Sequence, residues 1–121
     1  IIVYRYADAI LFDAEIKMAK NDISGAVASL NRIAERAYGK ENFYPASISA
    51  SDLNEAIVTE RMKEFAAEGK LWWDFIRLGV VFKKAPYLVG RDNEQNVLLW
   101  PVAQTSINKN PNITQTPGYD K

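Results

Sequence analysis

The stretch Glu60–Gly79, ERMKEFAAEGKLWWDFIRLG, decides how the chain folds. Winding Leu53 to Glu68 as a helix at ~100° per residue puts Leu53, Ile57, Glu60, Arg61, Glu64, Phe65 and Glu68 within an arc of roughly 140°. The carboxylates therefore sit on the apolar stripe. A surface helix usually keeps its charges on the other face. Glu60, Glu64 and Glu68 also repel one another at i, i+4 and i+8 unless a cation lies between them. Arg61 shares their arc, and Asp74 and Arg77 follow one short helix later. The spacing predicts a half-buried ion-pair lattice of Glu60, Arg61, Glu64, Glu68, Asp74 and Arg77 that pins two helices together.

Two rival readings of the same acids are a glycosidase pair drawn from Glu60, Glu64 and Glu68, and a carboxylate metal site. A catalytic acid needs a raised pKa, and a neighbouring arginine favours the charged form instead. A metal site would have to rely on hard oxygen ligands. The chain has no His and no Cys, and no calcium-loop spacing appears.

Composition prunes further. The chain has 121 residues, enough for one domain, with 48% apolar residues to build a core. Its 15 basic and 15 acidic residues cancel, which gives no electrostatic case for nucleic acid or an anionic membrane surface. Without cysteine there is no disulfide framework, thiolate zinc site or thiol nucleophile. Without histidine the usual general base is missing. No apolar run approaches the ~20 residues of a membrane span. The opening Ile1-Ile2-Val3 is expected of a piece cut from a longer protein, and no signal peptide is legible.

Outward from the central stretch, the N-terminal side reads as a helix hairpin over about 6–38. Ile1–Arg5 is expected to be extended. Ala7, Ile10, Leu11, Ala14 and Met18 then recur at helical spacing, with Asp8 and Glu15 on other faces. Asp22 is the expected N-cap of a second helix, whose stripe is Ala26, Val27, Leu30, Ile33, Ala34 and Ala37. Gly39 stops it. The alanines let the two backbones approach, in the manner of a tetratricopeptide-type pair. The loop that follows carries Phe43, Tyr44 and Pro45. Aromatics there either stack on a ligand or fold back over a core edge.

Third and fourth helices are expected over about 52–78, the third capped by Ser51 or Asp52 and the fourth buried nearly all round by Trp72, Trp73 and Phe75. Beyond Gly79 the apolar runs Val80–Phe82, Tyr87–Val89 and Val97–Trp100 suggest an extended excursion, with Tyr87 a further loop aromatic. One helical turn is expected near Ile107, and an irregular tail anchored by Ile113 and Tyr119 completes the region 80–121. The fold class is mainly α: a tetratricopeptide-like helix hairpin, further helices, and long irregular C-terminal excursions.

Several motifs now line up in order. They are Arg5-Tyr-Ala-Asp8; Asn21-Asp22 with Leu30-Asn31-Arg32-Ile33; Glu60-Arg61 with Glu64-Phe65 and Glu68-Gly69; Trp73-Asp74 with Arg77-Leu78-Gly79; and Leu99-Trp100-Pro101-Val102 through Pro117-Gly118-Tyr119. With them the chain resembles the C-terminal segment of SusD/RagB-type proteins, glycan-binding outer-membrane lipoproteins. It departs from the family pattern at Lys70-Leu71-Trp72.

The resemblance implies an α-rich fold and a non-catalytic protein without cofactor. It implies a surface-exposed lipoprotein of the cell outer membrane that hands oligosaccharide to a SusC-like TonB-dependent transporter. The lipid-bearing cysteine is expected outside this chain, and no nucleic acid is implied as a partner. The family's acid–arginine motif here looks structural, so no sugar-binding residue carries over. Phe43, Tyr44 and Tyr87 remain ligand-binding candidates from the residues alone. A protein-interaction scaffold without sugar binding is the alternative.

Overall fold

The computed structural model describes residues 3–119. Helix α1 spans Tyr6–Ala19, and Arg5 stands at its N-cap with its own N–H held by Asp8 Oδ2 at 2.9 Å. A turn at residues 20–22 leads into α2, Ile23–Tyr38. Asp22 caps α2 by accepting from the Gly25 N–H at 2.9 Å. Gly39 ends α2 in the left-handed region (φ 64°), where a side chain would be strained. The three-residue turn folds α2 back along α1, and Ala14 and Ala26, each fully buried, keep the pair close.

Helix α3 runs Ala50–Glu64. Its cap is Ser49, whose Oγ accepts from the Asp52 N–H at 3.1 Å, so the expected caps Ser51 and Asp52 both lie inside the helix. It also ends earlier than the wheel assumed. Phe65 is the C-cap, and Ala67 and Gly69 take positive φ values of 62° and 73°. Glu68 is therefore in a turn rather than on the helical arc. Leu11, Leu30, Leu53, Ile57 and Phe65 form the floor shared by the three helices, all of them fully buried.

The chain divides into two compact units between Leu71 and Trp72. The second contains most of α4 (Leu71–Arg77), then α5 (Val81–Lys84) and α6 (Gln104–Lys109), with 3-10 turns at Pro86–Leu88 and Gln95–Leu98. Among the described residues there is no strand, and no helix is long and apolar enough to cross a membrane. The excursion expected to be extended is thus a series of short helical turns. Its backbone closes locally, as in Lys84 N–H to Val80 O at 2.9 Å and Leu88 N–H to Ala85 O at 2.9 Å. With no partner strand alongside, these local bonds satisfy groups that would otherwise go unpaired.

α4 also corrects an expectation. Phe75 and Asp74 are buried, but Trp73 is 61% exposed. Residues two apart on a helix point ~200° apart, so burying Phe75 turns Trp73 outward. The tail is held by side chains. Gln115 accepts from Val102 N–H at 2.7 Å and donates to Val102 O at 3.0 Å; Thr116 Oγ1 donates to Trp100 O and Tyr119 Oη to Leu99 O. Ile1 and Ile2 of the expected N-terminal extension lie outside the described residues; Val3–Arg5 precede α1 without helical structure.

Candidate functional site

Charges converge on the end of α3. Glu60 is 1% exposed, and its Oε1 accepts from Tyr38 Oη at 2.6 Å and Tyr44 Oη at 2.7 Å, with Lys63 Nζ at 3.4 Å. Glu64 takes Arg5 Nη1 at 2.5 Å and is also paired with Arg36. Arg5 reaches on to Glu68 through Nη2 at 2.7 Å and Nε at 3.0 Å. Lys70 closes the turn by bridging Asp8 at 2.8 Å and Glu68 at 3.1 Å. Arg61 lies within 3.1 Å of Glu15, deep between α3 and α1. In the second unit Arg77 pairs with Asp74 at 3.1 Å.

Phe65 explains how so many cations fit into an apolar floor. The Arg5, Arg61 and Lys70 charges lie 4.9, 4.9 and 4.5 Å from its ring centroid. Arg61 is also 4.7 Å from the ring of Phe12. An aromatic face attracts a cation most when water is excluded. The carboxylates then hold those cations in place.

The titrations follow from these bonds. Hydrogen bonds first to Glu68 and then to Glu64 push the Arg5 pKa up. The Arg5 bond holds Glu68 below the ordinary carboxylate value. Burial works against a charged Lys70, but its bonds to Asp8 and Glu68 outweigh that and raise it. Burial, followed by the bond to Glu60, raises the phenols of Tyr44 and Tyr38.

The sequence reading named Glu60, Arg61, Glu64 and Glu68 but not most of their partners. Asp8 and Glu15 were assigned to outward faces; Asp8 is 2% exposed and the Glu15 side chain 10%. Arg5, Arg36, Lys70 and Tyr38 were missed as well. The i, i+3 spacing of Arg5 and Asp8 at a helix start was the one available signal. The other partners come together only through the tertiary fold.

The loop aromatics have separate fates. The Asn31 side-chain amide brackets the Tyr44 backbone, donating to its O at 2.9 Å and accepting from its N–H at 2.8 Å. Phe43 is 37% exposed and stacks on Tyr38 with ring centroids 4.5 Å apart. Tyr87 is 90% exposed. Between the hairpin and the end of α3, a cleft of about 490 Å³ is lined by Ala7, Ile10 and Ile33 together with Arg5, Arg32, Arg36 and the Glu64 that pairs with Arg5 and Arg36.

These features define a class: an all-α chain whose first three helices are joined by charges buried against an aromatic ring. The chain belongs to the SusD family, whose model matches residues 1–119. SusD-like protein P38 of Formosa agariphila is 30% identical over 98% of this chain and 24% of its own length. SusD-like protein P2 of the same organism is 40% identical over 64% of this chain and 16% of its own. The chain thus spans about a quarter of the length of P38. No solved structure matches it.

Proposed function

We propose that this chain is part of a non-catalytic glycan-capture protein at the outer cell surface, working with a SusC-like TonB-dependent transporter in oligosaccharide uptake. The observation that carries the reading is the SusD family match over residues 1–119. The acids support it. Glu68 is held in its charged form by Arg5 and Lys70, which disfavours a general acid, and Glu64 is taken up by Arg5 and Arg36. Glu60 is occupied by two tyrosine hydroxyls. In this reading the lattice is structural and sugar is held by exposed aromatics and polar groups, without chemistry.

Phe43 and Tyr87 are the candidate sugar platforms of the original three, and Tyr44 anchors the loop that presents Phe43. Retardation of the intact protein on polysaccharide-containing native gels tests the proposal. Retention by at least one glycan is expected. Binding of peptides with retention by no glycan sinks it.

A scaffold role is favoured by one observation, the arginine-edged cleft between the α1–α2 hairpin and the end of α3. Copurification separates the two. Recovery of partner proteins through the hairpin, in the absence of any glycan retention, supports the scaffold.

A further inference from the structure

A second cavity, of about 510 Å³, lies within the C-terminal unit, between the 88–97 segment and the turn at Pro117–Tyr119. None of the residues singled out from the sequence as ligand-binding candidates lines it. Leu88, 7% exposed, contributes an apolar surface. Tyr119 contributes a phenol ring that is 37% exposed, with its hydroxyl tied to Leu99 O at 3.2 Å. Asn93 and Asn96 add two exposed side-chain amides.

Val97, Pro117 and Gly118 add further apolar surface, and Arg91 and Glu94 enter the lining as a paired unit. The guanidinium donates to Glu94 Oε2 through Nε at 3.2 Å and Nη2 at 2.5 Å. This pairing has two effects. It cancels the charge, so the lining offers no excess of either sign to an anionic or cationic ligand. It also fixes a planar donor group beside a planar acceptor group, since a guanidinium has five N–H donors and a carboxylate two acceptor oxygens. The mutual bond holds Arg91 above and Glu94 below its ordinary pKa.

A neutral lining rich in both donors and acceptors, with one apolar wall and one aromatic ring, suits a neutral polyol. Each sugar hydroxyl donates and accepts, and each pyranose ring has an apolar face of C–H groups. The volume is within the ~300–1,000 Å³ usual for small-molecule sites and accommodates roughly one or two pyranose rings.

We propose that this cavity is a binding subsite for neutral sugar. Tyr119 and Leu88 meet the ring's apolar face, Asn93 and Asn96 bond its hydroxyls, and the Arg91–Glu94 pair orients a neighbouring hydroxyl pair. The proposal rests on the glycan-capture reading and adds to it where on this chain a sugar sits and that the sugar carries no charge.

The test is isothermal titration of the intact protein with neutral tetrasaccharides of glucose, mannose and xylose, α- and β-linked, and with a uronic-acid tetrasaccharide. At least one neutral probe should bind. The double variant Asn93→Ala/Asn96→Ala should weaken it by about tenfold, with the melting temperature unchanged, because two neutral hydrogen-bonding groups are lost from an exposed surface. Tyr119→Phe should bind as the wild type and Tyr119→Ala should not, since stacking needs the ring and not the hydroxyl. If a neutral probe binds and the double variant matches the wild type, the cavity is not the sugar site and glycan capture stands. Preference for the uronic-acid probe also overturns the proposal. If the wild type binds none of the probes and no polysaccharide gel retards it, the glycan-capture reading falls with it.

Discussion

Arg61 places its Nη1 3.1 Å from Glu15 Oε1, joining α3 to α1 through side chains that are only 2% and 10% exposed. Removing the cation strands a carboxylate away from water. It also removes the charge between the rings of Phe12 and Phe65. Arg61→Ala is therefore expected to cost ~3–5 kcal/mol, seen as a sharp fall in melting temperature. Replacing both partners, as in Arg61→Met/Glu15→Leu, should be the milder change, because an apolar pair leaves no lone charge. A melting temperature for Arg61→Ala within error of the wild type would mean that water reaches Glu15.

Tyr44 gives a smaller effect with a pH signature. Tyr44→Phe removes one bond to the buried Glu60 carboxylate and should cost about 1–2 kcal/mol, discounted because the tyrosine is only half-buried. The folded phenol titrates above its unfolded value of 10.0, chiefly because burial disfavours the phenolate. Its contribution is thus complete below pH ~10 and is lost as pH rises through the folded value. Tyrosinate absorbance followed alongside circular dichroism should show this phenol ionising above the ordinary range, together with loss of structure. Ionisation at the ordinary value in the intact fold would break the link to Glu60.

Glu68 works in the opposite direction. Its folded pKa lies below the unfolded 4.5, first through Arg5 and then, against the cost of burial, through Lys70. Its stabilising effect is present above pH ~4.5 and fades as pH falls through the folded value. Glu68→Gln should be less stable than the wild type at neutral pH, and the gap should close in acid. Chemical denaturation at a series of pH values measures it. A gap that widens below pH 4.5 contradicts the assignment.

Phe43→Ala separates recognition from stability. If its exposed face meets sugar, the variant should lose roughly 2- to 10-fold in glycan affinity, the size of a single aromatic contact. Loss of its stack on Tyr38 should move the melting temperature little, since both rings are partly solvated. Unchanged glycan retention by Phe43→Ala would remove this loop from the capture surface.

The helical part of the first unit was legible because its signals are local. Asp22 and Gly39 mark the ends of α2, and the alanine and leucine spacing marks the buried faces except at Ala37, which is exposed at the end of the helix. The inward tilt of Glu60 and Glu64 was legible for the same reason, since both lie on the α3 wheel. Glu68 was misplaced because a helical wheel cannot see that Ala67 adopts a left-handed conformation. Asp8 and Glu15 were misread as outward because a polar residue scores as exposed until its cation is located, and Lys70 and Arg61 arrive from far along the chain. Past Gly79 the apolar runs are too short for periodicity to separate strand from helical turn. Local backbone bonds three and four residues apart closed them into turns.

Gln115 has one last consequence. Its amide both gives to and takes from the Val102 peptide, imitating a neighbouring strand with a single side chain. The amide plays both parts with separate atoms, Oε1 accepting and Nε2 donating. Hydrolytic ageing to glutamate would set a negative oxygen against the Val102 carbonyl, and the tail would come unfastened at its clasp with no break in the chain.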